Sequence, residues 1–222
     1  MIQIEHHTIS SNHRPFIIAE MSGNHNQSLE RALAIVDAVA DAGAHALKIQ
    51  TYTPDTITFN SQSSEFLVGD AQSPWTGQHL YKLYQQAYTP WEWHAPIFEH
   101  ARRRGLVVFS SPFDTTAVDF LEKLHAPVYK IASFENTDHI LLKKVAQTGK
   151  PVIMSTGVAS VADLEESVGI LRANGCKELI LLKCTSTYPA AAETTNLLTI
   201  PHLRQLFDLP VGLSDHTMGI GV

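Results

Sequence analysis

The chain has 222 residues, of which 44% are hydrophobic and 17% charged, and its formal net charge is −6 with no basic cluster. This composition is typical of a soluble globular protein and argues against a nucleic-acid partner. Two cysteines, Cys176 and Cys184, are too few for a disulfide framework, and no apolar run approaches the ~20 residues that span a bilayer. The first residues lack the basic and apolar regions of a signal peptide, so we expect a cytoplasmic protein with no membrane partner.

Seven short apolar segments recur along the chain, and each of them ends in polar side chains. They cover residues 16–20, 46–52, 107–113, 128–133, 151–157, 178–186 and 211–217. The last of them reads V-G-L-S-D-H-T. An apolar run that ends in reactive groups is typical of a buried parallel strand whose carboxyl end opens into a site. The sequence therefore predicts seven core strands, preceded by a short strand within residues 2–9.

Helical segments are predicted between these strands from their caps and periodicity. Ser28 is placed to cap a helix that Gly43 ends. The stretch Thr89-Pro-Trp-Glu92 predicts a second start, with Thr89 as the N-cap and Glu92 completing a capping box. A further cap signal begins at Ser160, and other helices are expected at about 115–124, 138–147 and 200–207. Residues 53–88 hold a proline, many polar residues and isolated aromatic residues, so we expect an ordered lid there.

Strands that alternate with helices predict a parallel α/β protein. Two architectures compete, since a doubly wound sheet concentrates chemistry at one switch point, whereas every strand of a (β/α)8 barrel contributes from its carboxyl end. All seven strands end in polar residues and no G-x-G-x-x-G follows the first, which favours the TIM barrel. We therefore expect residues 1–222 to form a single, incomplete barrel domain that lacks the eighth strand and carries an insertion at about 53–88.

Two lysines lie inside otherwise apolar strands. Burial of the Lys48 or Lys130 ammonium group there costs free energy unless that group pairs with a carboxylate or meets a bound anion. Polar residues follow both within a few positions, namely Gln50 and Ser133, which favours an anion site. Five serines recur at equivalent strand ends and predict a phosphate or carboxylate cradle: Ser111, Ser133, Ser155, Ser186 and Ser214.

Other strand ends carry groups suited to catalysis. His216 follows Asp215 at a strand end, and this position fits the role of a metal ligand and that of a general acid/base equally well. Glu20 and Glu135 suit the binding of sugar hydroxyls or general acid/base work. Cys184 has no adjacent base in the sequence and is interpreted as an inert buried thiol.

Six stretches together resemble the sialic acid synthase family, whose members condense phosphoenolpyruvate with an amino sugar to make nine-carbon acids. In chain order they read A-E-M-S-G-N-H-N, L-K-I-Q-T-Y, Y-K-I-A-S-F-E, M-S-T-G, K-C-T-S-T-Y-P and G-L-S-D-H-T. Two stretches, M-S-G-N-H-N and Y-T-P-W-E-W-H, look most like the pseudaminic acid synthases, which act on 2,4-diacetamido-2,4,6-trideoxy-L-altrose. The alternatives are an N-acetylneuraminic or legionaminic acid synthase and a non-catalytic phosphosugar-binding fragment.

The resemblance implies a (β/α)8 barrel followed by a small antifreeze-like domain, a homodimer, and a divalent metal, usually Mn²⁺. It implies that phosphoenolpyruvate is cradled by Lys48, Ser111, Lys130, Ser133, Ser155, Ser186 and Ser214. It assigns Gln50 and Tyr188 to the acceptor sugar, Glu20 and Glu135 to the neighbourhood of the reacting carbons, and His216 to the metal. The family's second histidine ligand is absent from this chain, so we expect a weak metal site, little activity and exposed apolar surface.

Overall fold

A computed structural model describes residues 1–69, 71, 73 and 75–222. The chain divides into two compact units, which are described separately. The N-terminal unit is Phe16–Ala126, and the C-terminal unit combines Met1–Pro15 with Pro127–Val222. Among the helices of the described residues, none has the length and apolar character needed to cross a bilayer.

The described residues form nine strands and eight α-helices. The strands are β1 (Ile2–Ile4), β2 (His7–Ile9), β3 (Ile18–Glu20), β4 (Ala46–Thr51), β5 (Val107–Pro112), β6 (Tyr129–Ile131), β7 (Val152–Ser155), β8 (Leu179–Cys184) and β9 (Val211–Ser214). The helices are α1 (Leu29–Asp41), α2 (Pro54–Ile57), α3 (Leu80–Ala87), α4 (Trp91–Arg103), α5 (Thr115–Lys123), α6 (His139–Ala146), α7 (Val161–Ala173) and α8 (Thr199–Phe207). All seven predicted core strands are therefore present, each somewhat shorter than its apolar run.

In the N-terminal unit, strands β3, β4 and β5 are parallel and adjacent in that order. Their register places Glu20 opposite Lys48 and Gln50 opposite Ser111. Because the carboxyl ends of parallel strands share one edge, this register gathers polar side chains from three strands. Helix α1 begins as predicted, since the Ser28 hydroxyl accepts a hydrogen bond from the Arg31 amide at 3.2 Å.

Helix α4 begins one residue later than the sequence predicted. Pro90 is the N-cap residue, and no side chain caps the first turn. The hydroxyl of Thr89 instead lies 3.2 Å from Nε2 of the buried His25, whose Nδ1 accepts from the Gln27 amide, so both ring nitrogens are partnered. The expected capping box with Glu92 was wrong because this tertiary contact takes the threonine side chain.

In the C-terminal unit, strands β6 to β9 are parallel and adjacent in chain order. Residues 2–9 form an antiparallel hairpin of β1 and β2 rather than one strand, because Glu5 adopts a φ of 49° and turns the chain. The cap predicted at Ser160 is confirmed, and the structure shows it to be a capping box, since its hydroxyl accepts from the Asp163 amide while Asp163 accepts from the Ser160 amide.

The long insertion contains regular structure in its described part. It carries α2, a 3-10 turn at Ser64–Phe66 and α3, and Leu67 pairs with His79 in an isolated antiparallel bridge. Residues 70, 72 and 74 of the predicted lid lie outside the described residues.

Candidate active site

Lys130 on β6 is one of two buried lysines in the described C-terminal unit, the other being Lys183 on β8. Lys130 is only 4% exposed, and its Nζ donates to the Ile131 carbonyl and to Ser155 Oγ, each at 2.6 Å. No carboxylate forms an ion pair with it among the described residues. Burial lowers the pKa of Lys130 to about 8, although the charges of Cys184 and Glu135 act in the opposite direction.

Two serine hydroxyls converge on Gly157, which follows β7. A Cβ atom at position 157 would overlap Ser186 Oγ and would lie 2.6 Å from Ser133 Oγ. The amide of the buried Asn136 donates to the carbonyls of Ser155 and Gly157, at 3.3 and 3.2 Å, and holds this turn in place. The absent side chain at Gly157 therefore lets the two hydroxyls approach the backbone of this turn closely. We call Lys130, Ser133, Ser155, Gly157 and Ser186 the serine cradle.

Glu135 is a carboxyl group that interacts electrostatically with Lys130 of this cradle. It ends a 3-10 turn that begins at Ser133, and its Oε2 is shielded from solvent with no hydrogen-bond partner among the described residues. Burial raises the pKa of Glu135 to about 7, and the positive charge of Lys130 opposes that rise. A carboxyl group with this pKa can both hold and release a proton near neutral pH, as general acid/base chemistry requires.

The raised pKa of Glu135 makes stability depend on pH in a defined direction. Between its unfolded pKa of 4.5 and its folded pKa of about 7, the folded chain keeps a proton that the unfolded chain has lost. The free energy of unfolding therefore falls by about 1–3 kcal/mol as pH rises through this window. Because Glu135→Gln imitates the protonated form, we expect this variant to lose less stability between pH 5 and pH 7 in urea unfolding.

The matched control is Glu165→Gln, which removes an exposed carboxylate from α7. This control should follow the wild-type pH dependence. If Glu135→Gln and the wild type lose the same free energy between pH 5 and pH 7, the Glu135 carboxyl is not held protonated by burial.

Cys184 has polar neighbours that the sequence did not reveal. Its Sγ lies 4.0 Å from Nδ1 of His216 and 3.7 Å from Ser186 Oγ, because β8 and the end of β9 are neighbours. Burial acts to raise the pKa of this thiol, but contacts with His216, Ser133 and Ser186 outweigh it and lower the pKa to about 6. The histidine beside this thiol lies 32 positions further along the chain.

His216 is oriented by the backbone. Its Nδ1 lies 3.0 Å from the Thr185 carbonyl, so Nδ1 carries a hydrogen and Nε2 is the nitrogen left for a ligand. The contact with Cys184 raises the pKa of His216, which favours the protonated ring. A proton therefore competes with any metal at Nε2.

The metal that the resemblance implies is not accommodated by this chain's described residues. They contain no group of three or more histidine, cysteine, aspartate or glutamate side chains that could hold a metal ion. His216 is one candidate ligand, whereas a stable site needs three or four.

Two other predicted site residues lie around His216. The rings of Tyr188 and His216 are 4.4 Å apart, and the Tyr188 residue is about half exposed. Ser214 ends β9 opposite Cys184 in the register with β8. The structure thus brings Tyr188, Ser214 and His216 to the same strand ends as Cys184.

The N-terminal unit holds a second polar cluster at the ends of β3, β4 and β5. Lys48 forms an ion pair with Glu20, so this lysine is neutralised by a carboxylate on the neighbouring strand. The Gln50 side chain accepts a hydrogen bond from Ser22 at 3.4 Å, and Ser111 is buried beside Gln50 in the register. The two lysines that the sequence placed in one class therefore differ in their partners.

Gly157 and Asn136 were not identified from the sequence as site residues. The only local signal for Gly157 is its place directly after the strand end Ser155-Thr156, and a glycine there is also compatible with an ordinary turn. Asn136 gives no local signal, because its role depends on contacts with carbonyls about 20 positions away.

Comparison with known proteins gives consistent matches along most of the chain. Residues 35–222 match the model of the NeuB family. The chain is 45% identical to a pseudaminic acid synthase of Helicobacter pylori and 47% identical to one of Campylobacter jejuni, in each case over 92% of its length. It covers 60% and 59% of those two proteins, so it spans about three fifths of the length of these curated relatives.

A solved structure gives the same result in three dimensions. The N-acetylneuraminic acid (sialic acid) synthetase of Leptospira borgpetersenii serovar Hardjo-bovis superposes with a TM-score of 0.87 at 30% identity, covering 99% of this chain and 71% of that one. The predicted (β/α)8-type fold class is thereby confirmed. With parallel strands that end in a serine cradle, and with a family model that matches residues 35–222, the chain belongs to the NeuB family, as its resemblance to the sialic acid synthases indicated.

Proposed function

We propose that this chain carries the phosphoenolpyruvate-binding part of a nonulosonic acid synthase. The reaction joins C3 of phosphoenolpyruvate to the aldehyde carbon of an open-chain acetamido sugar. The aldehyde oxygen takes up a proton, water adds at C2 of the former phosphoenolpyruvate, and phosphate leaves by cleavage of the C2–O bond. The product is a nine-carbon sugar acid.

The observation that carries this proposal is the serine cradle. A buried ammonium group with no carboxylate partner among the described residues is costly, and a bound anion offsets that cost. Phosphoenolpyruvate offers a phosphate and a carboxylate, and the cradle offers Lys130 with the hydroxyls of Ser133, Ser155 and Ser186. Gly157 supports this arrangement, because its missing side chain lets the hydroxyls of Ser133 and Ser186 lie close together at the strand end.

Glu135 is proposed as the acid/base group of the reaction. With a pKa of about 7 it can donate a proton to the developing alkoxide, and as a carboxylate it can stabilise positive charge at C2. Its unpartnered, shielded Oε2 supports this role, because an oxygen without a protein partner remains available to a substrate.

The remaining assignments follow the resemblance and are proposals of the same kind. Lys48, Ser111 and Ser214 would bind phosphoenolpyruvate, and Gln50 and Tyr188 would contact the acceptor. Glu20 would lie near the reacting carbons, and its ion pair with Lys48 would position both groups. A divalent metal such as Mn²⁺ at His216 would need ligands beyond those that the described residues supply.

The similarity to pseudaminic acid synthases favours 2,4-diacetamido-2,4,6-trideoxy-L-altrose as the acceptor. Acceptors of N-acetylneuraminic and legionaminic acid synthases are the competing substrates, since relatives of the legionaminic type are 32–34% identical. A cytoplasmic location, manganese dependence, a role in surface-glycan synthesis and a homodimeric assembly complete the proposal.

The test has a binding arm and a turnover arm. Titration calorimetry of the purified chain with phosphoenolpyruvate measures the cradle directly. Phosphate release is then measured with Mn²⁺, phosphoenolpyruvate and a panel of the three acceptor types, with the Campylobacter jejuni pseudaminic acid synthase as the positive control. We expect phosphoenolpyruvate binding, and slow phosphate release that is fastest with the diacetamido-altrose acceptor.

Each contrary result removes a different part of the proposal. Failure to bind phosphoenolpyruvate would overturn the assignment of the cradle. Binding without phosphate release would favour a non-catalytic binding role for this chain, and faster release with another acceptor would replace the pseudaminic assignment.

A further inference from the structure

The insertion forms a polar groove within the N-terminal unit. Its volume is about 680 Å³, within the range of roughly 300–1,000 Å³ found for small-molecule sites. Five carboxamide side chains line it: Asn60, Gln62, Gln78, Gln85 and Gln86. None of the strand-end residues discussed above is part of its lining. We call this cavity the amide groove.

Two shielded polar atoms in the lining lack partners. Gln78 Oε1 and His79 Nδ1 are inaccessible to solvent and make no hydrogen bond among the described residues. Leaving a buried polar atom unpaired costs about 1–3 kcal/mol, and native structures contain few of them. Both residues line the groove, so a rotation of either side chain would present its unpaired atom to a ligand that supplies the missing hydrogen bond.

The walls of the groove are held by contacts outside it. The Val68 amide donates to the Gln78 carbonyl at 3.0 Å, and the Gly77 amide donates to the Val68 carbonyl at 2.8 Å. Tyr81, another lining residue, donates its hydroxyl hydrogen to Asp55 at 2.8 Å. The end of α3 is fastened by Gln27, whose amide donates to the carbonyls of Gln86 and Tyr88. The groove is therefore built into the fold, and its geometry does not require a ligand.

The lining specifies the chemistry of the ligand. Each carboxamide offers both donors and an acceptor, which matches the hydroxyl and acetamido groups of a carbohydrate. Lys82 contributes a positive charge, and no carboxylate is found among the described residues of the lining. A ligand with one acidic group is therefore favoured over a neutral or cationic one.

We propose that the amide groove binds an acidic acetamido sugar, through residues that the serine cradle does not use. The choice of sugar acid rests on the proposed function, because such an acid is the class of product that the reaction would release. The carboxylate would meet Lys82, while hydroxyl or acetamido hydrogens would satisfy Gln78 Oε1.

The experiment measures binding of N-acetylneuraminic acid to the 222-residue chain by saturation-transfer NMR and titration calorimetry, with N-acetylmannosamine as the neutral comparison. Lys82→Met should weaken binding of the acid about tenfold and leave binding of the neutral sugar unchanged. Gln78→Leu should weaken both sugars about tenfold. Gln78→Glu, which keeps an oxygen acceptor of similar size, should weaken only the acid. Lys130→Met, which alters the serine cradle, should change neither.

Three results would overturn the proposal. The first is that N-acetylneuraminic acid does not bind the chain. The second is that the Gln78→Leu variant binds this acid as tightly as the wild type does, and the third is that the Lys130→Met variant no longer binds it. Equal affinity for the acid in Lys82→Met would remove the assignment of an acidic ligand. These results are independent of the phosphoenolpyruvate assay, so failure of the groove and failure of the proposed reaction are distinguishable.

Discussion

Replacing Lys130 by methionine is expected to weaken phosphoenolpyruvate binding about 100-fold or more, with little change in stability. Removing one partner of a buried charge pair costs about 2–5 kcal/mol in binding, and Lys130 is the buried cation of the cradle. Without ligand, two effects on folding oppose each other. Methionine removes the cost of burying an ammonium, but it leaves the Ile131 carbonyl and Ser155 hydroxyl without their donor. We therefore expect the free energy of unfolding to change by no more than about 1 kcal/mol.

The affinity is measured by calorimetry and the stability by urea unfolding. Lys143→Met is the matched control, since Lys143 is an exposed lysine on α6 of the same unit. Its phosphoenolpyruvate affinity should equal that of the wild type. Wild-type affinity in Lys130→Met would show that the buried ammonium does not face the ligand, and a large loss of stability would show that its role is structural.

Replacing Gly157 by alanine should disrupt the serine cradle by steric overlap alone. The φ angle at Gly157 lies outside the left-handed region, so the backbone accepts alanine without strain. The new methyl group, however, would overlap Ser186 Oγ and approach Ser133 Oγ to 2.6 Å. Both hydroxyls must rotate away, and overpacking of this kind costs about 1–3 kcal/mol. We expect at least about a tenfold loss of phosphoenolpyruvate affinity together with this loss of stability.

A second substitution separates packing from binding. Adding Ser186→Ala removes the overlapped hydroxyl, so the double variant should regain part of the lost stability but none of the affinity. Gly169→Ala is the control, because nothing lies within 4 Å of its added methyl group and alanine favours helix α7 by about 1 kcal/mol. Unchanged affinity in Gly157→Ala would contradict the placement of the ligand at this turn.

Much of the architecture could be predicted because its signals are local. An apolar run that buries a strand and a polar residue that ends it are neighbours in sequence, so the strands at 46–52 and 211–217 were recognisable without a partner. The caps at Ser28 and Ser160 were correct for the same reason, since each bonds an amide three positions away. The cap at Thr89 was misassigned because its hydroxyl bonds a histidine 64 positions away.

The sequence by itself determined the fold class, the strand order along the chain and the residue types available at the strand ends. Only the tertiary structure decided how those residues are partnered. Lys48 and Lys130 look alike in sequence, yet the register of β3 against β4 pairs Lys48 with Glu20, whereas Lys130 is left with hydroxyl and carbonyl acceptors. The proximity of Cys184 to His216 and the space at Gly157 have the same origin. The physical reason is that burial and electrostatic pairing depend on distances between residues of different strands, which local patterns do not encode.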